Sequence, residues 1–320
     1  MKEQLDKDER FKVTKIWNRS NESADPSILP LIDLDIENLS CVDMVIEVAH
    51  PSIVTNFGVL ILKYADFFVG SSTALADAAL YETLKHAVQV NKRRLFIPSG
   101  SFWGADDIQK MANLGTIKGL TITMIKHPSS LRLEGPLQEL NEKAKLSDSA
   151  VVLYDGSLCL QKLHRYATES FPISVCKLVH NWDISTVSVL LEIKSILFSW
   201  PVRALCSLAP NNVNVMASAS IAAHTLGFDL VRAKLISDPS LSSWHIVEID
   251  VEGPDGFRVR TRRENPAKPG ALAGSLTHQA FLSCVQSESD WPVPLASFTS
   301  CFHYVHHNSS HSKKHLYIAV

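Results

Sequence analysis

Charge of one sign is not in excess: 31 Lys and Arg against 33 Asp and Glu leave a formal net charge of −2 over 320 residues. That balance excludes a broad basic surface for nucleic acid and a polybasic patch for a membrane. Cysteine is sparse. Cys41, Cys159, Cys176, Cys206, Cys284 and Cys301 form no C-x-x-C pair and no dense framework, so reduced thiols in a cytoplasmic protein are expected rather than a disulfide scaffold. The opening MKEQLDKDER is almost wholly charged or polar; without an apolar h-region it is not expected to direct secretion. Long hydrophobic runs are lacking too. Residues 184–200 come nearest, but Glu192 and Lys194 interrupt them, and the run is shorter than the roughly 20 residues of a membrane span. No internal repeat is found.

What is there is ordinary globular material, 46% hydrophobic and 20% charged, in a chain long enough for two domains. The first half alternates short apolar runs with helical periodicity. Residues 12–18, 43–49, 66–70 and 94–98 read as strands; 51–64, 73–91 and 104–114 read as helices. Strands separated by helices of that length imply right-handed crossovers and a parallel, doubly wound sheet. The second half differs. Residues 119–127 and 150–154 look like strands, and 212–226 like a helix. Residues 230–237, 244–252 and 257–263 follow as three strands in succession, the last two joined by a Gly-Pro-Asp-Gly turn; antiparallel pairing is expected among them. The expected fold class is α/β: a Rossmann-type domain over 1–103, then an α+β domain over 104–286 closed by a helix at 270–285. Residues 157–200 read as an insertion. Residues 287–320 read as a disordered, His/Ser-rich tail. Its histidines (His303, His306, His307, His311, His315) show no firm ligand spacing, and no metal is expected.

In an open α/β sheet, ligands bind beyond the carboxyl ends of the strands. Ala49-His50-Pro51, Gly70-Ser71-Ser72 and Ser99-Gly100-Ser101 stand at three such ends. Glycine and serine there admit a ligand to the backbone, although turn chemistry selects the same residues. Asn18-Arg19 ends the first strand, where a carboxylate suits the ribose of NAD and an arginine suits the 2′-phosphate of NADP. Asn212 and Asn214, in a PNNVN run before an alanine-rich helix, are good helix caps, and their carboxamides also suit a nicotinamide amide. His245 lies on an alternating strand. It is either a satisfied structural histidine or an acid/base group, for which its ordinary pKa qualifies it.

Seven stretches, VIEVAHPSI, FFVGSSTAL, IPSGSFWGADDI, ITMIKHPSSLRLEGPL, LAPNNVNVMASASIAAHTLGFD, SLSSWHIVEIDVEGP and TRRENPAKPGALAGS, closely resemble in that order the animal aspartate dehydrogenase domain-containing proteins. The bacterial L-aspartate dehydrogenases are more distantly similar. The likeness covers about residues 13–156 and 201–284. It implies a homodimer that uses NAD or NADP to deaminate L-aspartate, or a similar dicarboxylic amino acid, to oxaloacetate and ammonia. It places the family's catalytic histidine on His245. Its nicotinamide-side positions fall on Ser101, where an alanine is usual, and on the Asn212/Asn214 motif. Ala49, His50, Pro51 and Ser71, with Asn18 and Arg19, complete the expected cofactor site.

Three features depart from that family. A strand and a glycine-rich turn should precede residues 12–18, and MKEQLDKDER cannot supply them. Residues 157–200 split a segment that should run straight through. The tail after Cys284 has no counterpart. In the sheet order 3-2-1-4-5-6 the first strand is central, so its loss is expected to leave neighbouring strands unpaired and dinucleotide binding weak. A non-catalytic binding or regulatory protein that keeps the α+β domain is the alternative reading.

Overall fold

Proline at the first turn and a histidine cap set the start of the first long helix, Pro51–Tyr64. Proline there lacks only an N–H that would have no partner, and His50 Nδ1 accepts from the Ser52 amide at 3.1 Å. The expected helix at 73–91 is instead two pieces. A 3-10 turn covers Ser72–Ala76, and the α-helix Ala78–Asn91 starts where Asp77 accepts from the Ala79 and Leu80 amides. An aspartate in that place caps a new helix rather than continuing an old one.

The computed structural model describes residues 2–18, 28–30, 34, 36–156, 201–286 and 314–319. Its strands are β1 (Phe11–Asn18), β2 (Ile28–Pro30), β3 (Met44–Glu47), β4 (Asp66–Val69), β5 (Leu95–Phe96), β6 (Gly119–Lys126), β7 (Val151–Asp155), β8 (Arg232–Ser237), β9 (Trp244–Glu252), β10 (Arg258–Pro266) and β11 (Lys314–Ala319). They form two sheets, β2-β1-β11-β3-β4-β5 and β10-β9-β6-β8-β7.

The first sheet is parallel throughout and corrects the expectation of a missing centre. β11, from the tail, lies between β1 and β3 and occupies the place of strand 1 in the order 3-2-1-4-5-6. Leu316, Tyr317 and Ile318 are all buried, as a strand covered on both faces should be. Leu316 and Ile318 pack with Leu5, Phe11, Met44, Ile46, Phe68, Phe96 and Val285. Tyr317 faces the other way, near Trp17, and its hydroxyl donates to Asn38 O at 2.6 Å. The tail was expected to be disordered; instead its last part has backbone partners on both sides. Residues 287–313, with four of the five tail histidines, lie outside the described residues. His315 lies in β11, and its amide donates to Asp43 Oδ2 at 2.7 Å.

The second sheet is mixed. β9 and β10 form the expected hairpin, but β8 does not pair with β9. It runs parallel to β6 and antiparallel to β7, with β6 standing between β8 and β9. The helix Ser275–Gln286 returns to the first sheet, where Phe281 meets Phe68 edge-on and Val285 joins the apolar cluster under β11.

Residues 157–200, expected to be an insertion, lie outside the described residues, but the residues on either side of them are held together. The Gly156 amide donates to Ala233 O at 2.9 Å, and Pro201 bridges Arg232 next door. Tyr154 Oη donates to Pro201 O at 2.9 Å. Chain ends held this close need only a short connection. Replacing 157–200 by a two-residue turn should therefore leave the thermal midpoint within about 4 °C of the parent, the shift of roughly 1 kcal/mol in a domain of this size. A deletion that abolishes cooperative unfolding would overturn this.

Candidate active site

A cavity of about 490 Å³ opens at the carboxyl ends of the first sheet and is closed on its far side by the second. Its walls come from both. Val48, Ala49, Gly70, Ser71 and Pro98 to Ser101 supply the strand ends; Met124, Lys126, His245 and Val247 come from β6 and β9; Asn211, Asn212 and Asn214 and the start of the last helix complete it.

Glu47 organises the strand-end side. It ends an otherwise apolar strand and is fully buried. Oε1 accepts from the amides of Ala49 (2.7 Å) and His50 (2.8 Å) and from Ser71 Oγ (2.9 Å), while Oε2 accepts from the Ser71 amide at 2.9 Å. One carboxylate thus ties the loops after β3 and β4 together. Burial pushes its pKa up, against the hydrogen bonds from Ser71, Ala49 and His50, which hold it down. Gly70 must be glycine: a Cβ there would stand 2.7 Å from the Glu47 carbonyl oxygen.

The second-sheet side is a row of paired residues. β6 buries every second residue, Leu120, Ile122, Met124 and Lys126, as period-two alternation requires. Opposite them on β9 stand Val251, Ile249, Val247 and His245. The apolar row ends at the cavity in a Lys–His pair. Both members are 4% exposed. Lys126 Nζ donates to Leu272 O at 2.8 Å and lies 3.5 Å from Asn212 O. Burial lowers the Lys126 pKa to about 8. His245 Nε2 is buried with no hydrogen-bond partner among the described residues, and burial, reinforced by the Lys126 charge, lowers its pKa to about 4. The imidazole is therefore neutral near pH 7.

The structure brings Ala49, Ser71, Ser101, Asn212, Asn214 and His245 to one cavity. Ser101 Oγ lies 3.1 Å from Thr277 Oγ1. Asn212 is more strut than open ligand: its oxygen accepts from the Arg132 amide at 2.7 Å and its nitrogen donates to Ser130 O at 2.9 Å. Asn214 Oδ1 accepts from the Thr73 amide at 3.2 Å, joining the 3-10 turn to the helix Asn214–Ala222. His50 and Pro51 do not line the cavity, because both are committed to starting the helix at 51. Asn18 stands at the end of β1 opposite Pro30, and Arg19 lies outside the described residues. Glu47 and Lys126 were not singled out from the sequence. The signals were there: a carboxylate ending an apolar strand, and a lysine on the buried phase of an alternating one. Among the described residues no His/Cys/Asp/Glu cluster could hold a metal ion, and no helix is long and apolar enough to cross a membrane.

Residues 1–98 match the family profile described as homoserine dehydrogenase, NAD binding domain. With the sheet order and the cavity at its strand ends, that match defines the chain as a two-domain oxidoreductase with a dinucleotide-binding fold. Residues 107–172 and 181–284 match the profile described as aspartate dehydrogenase, C-terminal. An aspartate dehydrogenase domain-containing protein of Xenopus tropicalis is 39% identical over 277 residues, 84% of this chain and 81% of that protein. Its namesake in Danio rerio is 39% identical over 271 residues. An L-aspartate dehydrogenase of Methanococcoides burtonii is 28% identical over 84% of this chain and 80% of its own length. The crystal structure of aspartate dehydrogenase from Thermotoga maritima shares the fold, with a TM-score of 0.55 at 18% identity over 90% of this chain and 92% of that one. The chain belongs to the aspartate dehydrogenase family.

Proposed function

We propose that this protein oxidatively deaminates L-aspartate to oxaloacetate and ammonia with NAD or NADP, as a cytoplasmic homodimer. The observation that carries the reading is His245: the residue lines the cavity, and its Nε2 is buried with no hydrogen-bond partner among the described residues. A buried polar atom left open in that way costs free energy, and a ligand able to share a proton with it relieves the cost. The residues present fit the nicotinamide end of a dinucleotide. The backbone of Gly70-Ser71 and of Pro98 to Ser101 reaches the cavity behind nothing larger than serine and proline side chains. Ala49, Ser71, Ser101 and Asn214 would hold that end, and Asn18, at the end of β1, with its sequence neighbour Arg19, the distal ribose. When bound, the cofactor accepts the hydride that leaves the substrate Cα.

The chain's own residues do the rest. The amino nitrogen first releases a proton to water and the Cα–N bond then becomes an imine as the hydride leaves; His245 Nε2 next takes a proton from the water that adds to that carbon. It returns the proton to the departing nitrogen, and the hydroxyl proton follows as the C=O bond forms, so water is consumed and ammonium leaves. The Glu47 carboxylate keeps the two strand-end loops that border this exchange in place.

The test is L-aspartate-dependent reduction of NAD and NADP, measured side by side. NADP should be used at least as well as NAD, because in the sequence Asn18-Arg19 stand at the end of the strand after which an NAD-specific chain carries a carboxylate. Absence of turnover with either cofactor removes the reading; a strong kinetic preference for NAD removes the arginine's role. Sedimentation should show two copies per particle.

A further inference from the structure

Besides the histidine, the cavity holds a second buried ionisable group, Lys126. Three observations meet at it. First, it is the last residue on the buried face of β6, directly opposite His245 across an antiparallel pair; side chains so placed share a face, with Cβ atoms about 4.5–5.5 Å apart. Second, the residue is 4% exposed, yet among the described residues no carboxylate is paired with its ammonium. Buried charges are as a rule paired, so this one is held by carbonyls only. Third, its hydrogen bonds go to Leu272 O and Asn212 O, both on segments that line the cavity. An ammonium has three N–H donors, so one remains for whatever enters.

We infer that Lys126 is the carboxylate anchor of the site: its ammonium, opposite His245 on the same face, takes one carboxylate of a dicarboxylic substrate and adds to burial in disfavouring a second positive charge beside it. The substrate half rests on the functional reading above; the electrostatic half does not. A lysine here does two things at once. It supplies the positive charge that the cavity needs to take an anion out of water. It also raises the cost of a second positive charge on the neighbouring ring, so the proton acceptor stays available. Among the described residues, the other ionisable side chains around the cavity are Lys2 on the first turn and His278 on the last helix, with Glu47 behind Ser71.

The experiment uses the whole chain and needs no turnover. Succinate, a dicarboxylate that cannot be oxidised at a Cα–N bond, is titrated into the parent, Lys126→Met and Lys126→Arg, and the His245 ring is followed by NMR against pH. In the parent, succinate binding should hold below about pH 8 and fall above it, as the ammonium loses its proton. Lys126→Met should weaken succinate binding about 10- to 100-fold, the loss of one charge-assisted hydrogen bond. It should also move the His245 titration upward from about 4 toward the ordinary 6.5. Lys126→Arg, if it folds, should recover part of both. Succinate binding within twofold of the parent in Lys126→Met, or no succinate binding by the parent at all, overturns the anchor. An unchanged His245 titration overturns the electrostatic role. If Lys126→Met does not fold, the parent's own pH dependence decides, and binding that persists unchanged to pH 10 overturns the proposal. Should the parent bind succinate through Lys126 yet fail to oxidise L-aspartate, the functional reading falls and the anchor stands.

Discussion

Removing residues 314–320 should abolish cooperative folding of the first sheet. β11 is hydrogen-bonded on both sides, six register positions to β1 and four to β3. Taking it out leaves two rows of backbone groups unpaired in the middle of a sheet whose faces are covered. It also removes Leu316, Tyr317 and Ile318 from two different apolar clusters. A single large-to-small change at such a site costs about 2–5 kcal/mol, against a total stability of about 5–15 kcal/mol for a domain. Losing three such side chains together exceeds any plausible margin. Ile318→Asp should approach the same outcome alone, since an unpaired charge in a core exceeds about 4 kcal/mol. The measurement is urea unfolding followed by circular dichroism, with a synthetic peptide of the last ten residues added back to the truncated chain. The peptide should restore the transition, because the gap between β1 and β3 fits one strand of that sequence. A truncated chain that unfolds at the parent's midpoint would show that β11 is dispensable.

How β11 escaped the sequence reading is physically clear. Its partners begin at Phe11 and Met44, so nothing within a local window marks it. Five apolar or aromatic residues beside a run of serine and histidine do not show period-two alternation, because a strand buried on both faces has none. The same limit applied to β8. Strands adjacent in sequence usually pair, and the tight turn between β9 and β10 encouraged that reading for all three. But β8 pairs with β6, a hundred residues earlier in the chain. Where the signal was local, the reading held. Pro51 in the first turn and the helical periodicity after it marked the helix Pro51–Tyr64, and alternation marked β9 at both ends. At the site, His245 and the small residues at strand ends were legible as candidates. Asn212 was legible only as a residue type: which backbone groups claim its amide depends on the segment at 128–132, folded against it. Glu47 and Lys126 look like ordinary charged residues until burial is known, and burial is a property of the whole fold.

Replacing His245 by alanine should lower turnover with L-aspartate by roughly 10²–10⁴, the range for loss of a general acid/base group. The pH dependence makes the prediction specific. The imidazole must be neutral to accept a proton, and burial together with the Lys126 charge sets its pKa at about 4. The acidic limb of kcat/KM should therefore fall near pH 4, not near the ordinary histidine value of 6.5. The same shift governs stability. Between pH 6.5 and about 4 the unfolded chain binds the proton that the native state refuses. Stability from this group is thus complete above 6.5 and is lost as pH falls through that window. His245→Gln, which cannot titrate, should fold with less destabilisation on acidification over that window while staying nearly inactive. Loss of activity with an unchanged acid slope in stability would mean that His245 titrates normally and is not held neutral by its surroundings. Turnover of the alanine variant within twofold of the parent would make His245 a structural residue and leave the proton transfer to another group in the cavity.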